Sequence, residues 1–129
     1  MSYEPGKIKE FTDLNSWQQS HQLVLYIYKL TKKFPREELF ALTSQIRRAA
    51  LSVSANIAEG FGRFTYKDRA HFFIQSNGSL TELKNHLILS KDLEYVSKIE
   101  FEEAITRAKL VQQLLQGLIR KTKEFSVKS

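Results

Sequence analysis

The chain has 129 residues, is 42% hydrophobic and carries a formal net charge of +6 at pH 7. This size and apolar content predict one domain with a single core over residues 1–129, with flexible ends at about 1–9 and 126–129. The absence of cysteine excludes disulfides, thiolate metal sites and a cysteine nucleophile, and favours a cytoplasmic location. No apolar run approaches the roughly 18 residues of a membrane span, so we expect no membrane partner.

Apolar residues recur at alternating steps of three and four residues in four segments, which predicts four amphipathic helices. The first predicted helix has two apolar stripes between Leu14 and Phe34. Thr12 or Asp13 is available as its N-cap, and Pro35 ends it.

The second predicted helix extends from Leu39 to Gly60. A glycine at the end of a helix suits the left-handed conformation of a C-terminal cap, and we predict this role for Gly60. Gly62 keeps the connection that follows short and flexible. The core stripe comprises Leu39, Leu42, Ile46, Ala49, Val53 and Ile57.

The third predicted helix begins at Thr65, whose side chain is placed to cap it, and stops around Glu94. The fourth opens at Ser97, and Glu100 completes the spacing of a capping box. Because the connections are short, neighbouring helices must run in opposite directions. The predicted fold class is therefore all-α, an antiparallel up-down-up-down four-helix bundle.

The second helix is apolar on the side opposite its core stripe as well. A helix that is apolar on both sides is usually buried on both sides, so we predict that the protein self-associates through this back face. The alternative needs no partner: the N-terminal arm, with Ile8 and Phe11, would cover the same face. The predicted interface residues are Phe40, Leu51, Ala55 and Ala58.

A polar stripe flanks the core side of the second helix and includes Arg48, Asn56 and Glu59. For Asn56, a buried amide that fixes the packing register is favoured over a catalytic role. Glu59 would contact another helix, another subunit or a ligand, or pair with Arg63 if the helix continued past Gly60.

Basic residues in and after the second helix are the candidates for binding nucleic acid. The adjacent Arg47 and Arg48 can engage separate phosphates bidentately. Phe64 and Tyr66 interleave with the basic residues and would stack on bases if exposed. The alternative is that the arginines form ion pairs between subunits and the aromatic rings fill the junction between helices. The predicted nucleic-acid-binding residues are Arg47, Arg48, Arg63, Lys67 and Arg69.

A second basic set lies on the fourth helix, where lysine and arginine commonly solvate an outer face. It comprises Arg107, Lys109, Arg120, Lys121 and Lys123.

The three histidines indicate no catalytic or metal site. Glu82 and His86 share a helix face, but metal sites in bundles draw Glu-x-x-His pairs from two helices, and that motif is absent. His21 occupies an apolar stripe, as a satisfied core histidine would. We therefore predict that the protein is not an enzyme and has no catalytic residue, metal or cofactor.

The chain resembles a family of small four-helix-bundle proteins encoded by intervening sequences within bacterial 23S ribosomal RNA genes. The likeness covers nearly the whole chain, with two mild departures: Ser54 where the family often has proline, and Asn77 where it has a small alanine. The residues that carry it are Trp17, Phe34-Pro35, Gln45-Ile46-Arg47-Arg48-Ala49-Ala50, Ser54-Ala55-Asn56-Ile57-Ala58-Glu59-Gly60, Arg63, Gly78-Ser79 and Glu82.

The resemblance implies a bundle that assembles into a ring, most often a homopentamer. It extends to the accessory variability determinants of diversity-generating retroelements, whose basic surfaces bind nucleic acid and a reverse transcriptase. Together with the apolar back face and the basic residues, the resemblance thus implies a homo-oligomeric ring that binds RNA or DNA non-specifically. The alternative is a scaffold that contacts another protein and binds no nucleic acid.

Overall fold

The structure, a computed structural model, describes residues 7–128, with side chains up to residue 126. Residues 1–6 and 129, which belong to the ends expected to be flexible, lie outside this range. The described part contains helices and no strand, which confirms the predicted all-α class. Two short 3-10 helices, Phe11–Asp13 and Arg36–Glu38, accompany α1 (Asn15–Thr31), α2 (Leu42–Phe61), α3 (Tyr66–Asp92) and α4 (Lys98–Lys128).

Contacts between α1 and α4 show that these two helices run antiparallel. Near the end of α1, Lys33 forms an ion pair with Glu100, which lies in the first turn of α4. Tyr26, which precedes Lys33 in the chain, has its ring centroid 5.0 Å from the guanidinium of Arg107, which follows Glu100 along α4. Residues later in α4 therefore contact residues earlier in α1, as an up-down-up-down bundle requires.

The pairing of α2 with α3 is antiparallel too and uses small hydroxyl side chains. The Ser76 hydroxyl donates a hydrogen bond to the carbonyl oxygen of Val53 at 2.7 Å. The hydroxyls of Ser52 and Ser79 lie 2.7 Å apart. Small side chains at these positions let the two helix backbones approach each other closely while the buried polar atoms remain hydrogen-bonded.

The core lies between the four helices and is built from the predicted stripes. In α2 it includes Ile46, Val53 and Ile57, each fully buried. Alanines on α4 allow the bundle to narrow beside the larger residues of α1 and α3. The fully buried apolar side chains of the other three helices are Leu23, Ile27, Phe73, Leu80, Leu83, Leu87, Ala104, Ala108, Val111 and Leu115.

The starts of α3 and α4 follow the prediction. The Thr65 hydroxyl accepts a hydrogen bond from the backbone N–H of Asp68 at 3.1 Å. At α4, Ser97 and Glu100 form the predicted capping box, with the Glu100 N–H donating to the Ser97 hydroxyl at 3.1 Å and the Ser97 N–H donating to the Glu100 carboxylate at 2.8 Å. Each motif satisfies backbone donors that a helix start leaves without a partner.

The predicted N-cap of the first helix was wrong. Leu14 is the N-cap of α1 and makes no side-chain capping bond. Asp13 instead serves the preceding 3-10 helix, because its carboxylate accepts hydrogen bonds from the backbone N–H groups of Lys9 and Glu10, at 3.0 Å each. These backbone donors hold the pKa of Asp13 below its usual value.

The predicted start and end of the second helix were also wrong. It begins at Leu42, after the 3-10 helix Arg36–Glu38, so Leu39 and Phe40 precede it. It continues through Gly60 to Phe61, and no glycine among the described residues has a positive φ. A Cβ atom at Gly60 would meet Cε1 of Phe73 at 2.7 Å. Gly60 therefore allows α3 to approach α2 closely and is not a left-handed cap.

Within the described residues, no helix is both long enough and apolar enough to cross a bilayer.

Candidate nucleic-acid interface and outer face

The connection between α2 and α3, residues 62–65, is held on both sides of Phe64. On one side, the Arg63 N–H donates to the carbonyl oxygen of Gly60 at 3.2 Å. The Arg63 carbonyl oxygen in turn accepts a hydrogen bond from Nε of Arg69 at 2.7 Å. On the other side, Thr65 caps α3. This connection is therefore a fixed turn in which Phe64 is fully exposed to solvent.

The Arg63 side chain lies across the α2–α3 junction. Its guanidinium forms an ion pair with Glu59 at 2.7 Å, the contact expected if α2 continued past Gly60. It also lies 4.4 Å above the ring of Phe72. Both charged side chains are partly exposed, so the pair adds little stability. The Nε atom of Arg63 is buried, while part of the side chain stays open to solvent.

Lys67 and Arg69 lie in the first turn of α3, beside the same connection. Arg69 packs its guanidinium 5.4 Å from the Tyr66 ring and 5.8 Å from the Phe61 ring. Lys67 is exposed, and nothing in residues 7–126 forms an ion pair or hydrogen bond with it. The structure thus brings together three of the five predicted nucleic-acid-binding residues, Arg63, Lys67 and Arg69, which we call the end patch.

The end of α4 adds a cation near the end patch that the sequence analysis assigned to a solvated face. Lys121 lines a small cavity of about 30 Å³ together with Arg69 and Tyr66. Phe125 lines the same cavity and stacks on Tyr66, with ring centroids 5.4 Å apart. The antiparallel order of the helices is the signal that could have located Lys121, because it returns the end of α4 to the α2–α3 connection.

Arg47 and Arg48 do not belong to the end patch. They precede Arg63 by 16 and 15 residues on one continuous stretch of helix and connection, or roughly 24 Å along the axis. Arg47 faces α1, where its Nε donates to the Thr31 hydroxyl at 2.8 Å and its guanidinium lies 4.7 Å from the Tyr28 ring. Arg48 is exposed and makes no hydrogen bond or ion pair within residues 7–126.

The predicted interface residues that lie in α2, Leu51, Ala55 and Ala58, are on an outer face that remains at least partly open to solvent. Leu51 is 43% exposed, Ala55 is exposed and Ala58 is half-buried. At about 100° per residue, Arg48 falls on the same side of the helix as Leu51 and Ala55. Phe40 is 92% exposed but precedes the helix, so it lies beyond the end of this face.

Asn56 joins the polar contact between α2 and α3. Its Nδ2 donates to the carbonyl oxygen of Ser52 at 2.9 Å and contacts the Ser52 hydroxyl at 3.0 Å. Since that hydroxyl also contacts Ser79, the three side chains form one chain of hydrogen bonds. The half-buried amide thus bonds to its own helix and is linked to α3 through Ser52, and its role in fixing the packing register stays a prediction.

The histidines make local contacts on their own helices. His21 stacks on the indole of Trp17, with ring centroids 4.9 Å apart. His86 lies 3.3 Å from the Glu82 carboxylate, and His71 lies 3.0 Å from the Gln75 amide. In residues 7–126, no three or more metal-ligating side chains come close enough to hold an ion.

These features define an antiparallel four-helix bundle with basic residues at one end and a partly exposed apolar face on its second helix. The chain belongs to the family of 23S rRNA-intervening sequence proteins, whose model matches residues 12–117. No curated protein matches the chain.

A solved structure with the same fold comes from Bacteroides thetaiotaomicron, where it is described as a protein of unknown function from the S23 ribosomal protein family. The two chains are 23% identical, and the match covers 81% of this chain and 95% of the other with a TM-score of 0.76. At this identity the similarity establishes the shared bundle fold.

Proposed function

We propose that this protein is a non-enzymatic homo-oligomer, most favourably a ring of five subunits, that binds RNA or DNA without sequence specificity. The observation that carries the nucleic-acid part is the end patch, in which Arg63, Lys67 and Arg69 surround one fixed turn. The observation that carries the oligomer part is the partly exposed apolar face around Leu51 on α2.

The two parts of the proposal strengthen each other physically. One end patch offers only a few phosphate contacts, and such contacts depend steeply on salt because each one releases bound counterions. A ring repeats the end patch once per subunit, so a strand that reaches several patches binds far more tightly than one patch would allow. The net charge of +6 per chain adds long-range attraction to a polyanion.

The direct test measures the mass of the protein by light scattering after size exclusion, with and without a mixed RNA, at low and at high salt. We expect one assembled species whose mass rises with RNA at low salt and returns to its starting value at high salt. A protein that ignores RNA at low salt would contradict the nucleic-acid part, and a monomer would contradict the ring.

Two single-charge variants locate the binding surface. Lys67→Ala removes an exposed cation from the end patch, whereas Lys32→Ala removes an exposed cation at the opposite end of the bundle. We expect Lys67→Ala to weaken RNA binding and to lower the salt dependence by about one ion per subunit, and Lys32→Ala to change neither by as much. Equal effects would mean that only net charge matters.

A scaffold without a nucleic-acid ligand is the second candidate, and the position of Arg48 favours it. Arg48 lies on the outer face with Leu51, where a guanidinium would pair with a carboxylate of a second subunit. If Arg48→Ala dissociates the oligomer while the wild-type assembly ignores RNA, the scaffold replaces the first proposal. Arg47→Ala is the matched control, because the Arg47 guanidinium bonds to Thr31 within the subunit and is not expected to hold subunits together.

A further inference from the structure

We propose that the end patch recognises unpaired nucleic acid and that Phe64 stacks on one of its bases; this inference rests on the proposed function. A duplex buries the faces of its bases, so a protein aromatic ring can stack only where a strand is single or unpaired. The proposal therefore narrows the ligand from any polyanion to a single-stranded RNA or DNA segment.

The first argument is that Phe64 is presented to solvent by an anchored turn. Its ring is fully exposed, and the turn is fixed on one side by the hydrogen bond between Arg69 and Arg63 and on the other by the Thr65 cap. Single exposed apolar residues are common on proteins, so the anchoring of the turn, and not exposure alone, distinguishes Phe64. A ring held in place loses little conformational freedom when it binds, which favours binding.

The second argument is the charge around the ring. Arg63 precedes Phe64, and Lys67 follows it by three residues, so cations are placed to bind the phosphates on either side of a stacked base. Phe40 is also almost fully exposed, and it lies at the other end of the bundle after Arg36, Glu37 and Glu38. The cation that distinguishes the surroundings of Phe64 is Lys67, which is exposed and has no ion pair or hydrogen bond within residues 7–126.

The third argument assigns the stacking position to Phe64 and not to Tyr66. The Tyr66 ring already stacks on Phe125 and lies 5.4 Å from the Arg69 guanidinium. The Tyr66 ring therefore already packs against two groups of the same chain. Phe64 is the aromatic residue of this turn whose faces are open to a base.

The test compares binding of a fluorescein-labelled oligouridine, an oligothymidine and an RNA duplex of the same length, by anisotropy at low salt. Oligouridine and oligothymidine stack weakly on themselves, so their bases are available to the protein. The wild type is expected to bind one or both single strands more tightly than the duplex, and the stronger single strand distinguishes RNA from DNA as the source of the base.

Two substitutions separate stacking from apolar contact. Phe64→Leu keeps an exposed apolar side chain but removes the flat ring, and it is expected to weaken single-strand binding about tenfold with little effect on the duplex. Phe64→Trp keeps a ring and is expected to bind at least as tightly as the wild type. The control Ile99→Ala removes an apolar side chain that is 79% exposed at the opposite end and should leave single-strand binding unchanged.

The outcomes distinguish this inference from the proposed function. If Phe64→Leu binds single strands as tightly as the wild type, or if the duplex binds equally well, the inference is wrong while the end patch remains a phosphate site. If Phe64→Leu lowers the assembled mass, Phe64 is a subunit contact and the inference is also wrong. If the wild type binds none of the three probes, the nucleic-acid part of the proposed function fails with it.

Discussion

At position 60, the need for glycine comes from packing against the neighbouring helix α3 and not from the conformation of α2 itself. A glycine within a helix ordinarily lowers stability, because it has more backbone freedom to lose on folding. Here, the missing side chain makes room for Phe73 and Phe72, whose nearest atoms lie 2.7 and 3.0 Å from where a Cβ would stand. The close packing of α2 on α3 at this point depends on that space.

Gly60→Ala is therefore expected to destabilise the protein although alanine favours helix. Overpacking of this kind costs about 1–3 kcal/mol, since the added methyl group displaces a buried ring. Gly117→Ala on α4 is the matched control, because its Cβ would meet only the flexible end of Arg120 at 3.9 Å.

The control Gly117→Ala should raise the free energy of unfolding by about 0.5–1 kcal/mol, because alanine has the higher helix propensity. Urea denaturation of the two variants and the wild type measures both effects. A Gly60→Ala variant as stable as the wild type would mean that α3 can move away from Gly60 without loss.

Among the elements, the caps at the starts of α3 and α4 were predicted, whereas the N-cap of α1 and both ends of α2 were not. Thr65 and Ser97 cap helices through residues three positions away, so the sequence contains the whole motif. Gly60 instead lies inside α2, where the space left by its missing side chain is filled by Phe73 of α3, and no single-helix pattern reveals that contact.

In the candidate site, too, some features follow from the sequence and others only from the packing of the helices. The clustering of Arg63, Lys67 and Arg69 follows from their closeness in the chain. The separation of Arg47 from Arg48, toward α1 and toward solvent, follows from helix geometry only once the neighbouring helices are placed. The approach of Lys121 to Arg69 follows from the antiparallel order of the helices, which returns the end of α4 to the α2–α3 connection.

The start of α4 gives the protein a component of stability that depends on pH. The pKa of Glu100 is held below its ordinary value of 4.5, first by the hydrogen bond from Lys33 and then by the backbone N–H of Ser97. Because the folded-state pKa is the lower one, this stabilisation is present above pH 4.5 and is lost as the pH falls from there through the folded-state pKa.

Glu100→Gln should therefore lower the urea midpoint at neutral pH and approach the wild type at strongly acidic pH. The control is Glu102→Gln, an exposed carboxylate of the same helix with no ion pair or hydrogen bond to residues 7–126. The urea midpoint of Glu102→Gln is expected to stay close to that of the wild type at every pH. If the urea midpoint of Glu100→Gln lies below that of the wild type by the same amount at every pH, the role assigned to the Glu100 carboxylate is wrong.

At the scale of the whole molecule, the proposed assembly depends on an apolar face that a single subunit leaves in water. Leu51→Asp would bring a carboxylate into that face, and burying an unpaired charge is costly enough to separate subunits. We therefore expect Leu51→Asp to lower the mass measured by light scattering.

Leu110→Asp is the matched control, because Leu110 on α4 is 42% exposed and Leu51 is 43% exposed. The control should retain the mass of the wild type. If the two aspartate variants assemble equally well, the outer face of α2 is not the subunit contact.

The close pairing of α2 with α3 has a consequence for how the molecule opens. The two helices are joined by residues 62–65 only, so bringing them together costs little loop-closure entropy. Hydroxyl contacts between Ser52 and Ser79 and between Ser76 and Val53 then hold the pair from within. We expect this hairpin to form early and to exchange its amide hydrogens last. The outer face and the Phe64 turn both belong to it, so partial unfolding of α1 or α4 would leave these two surfaces largely in place.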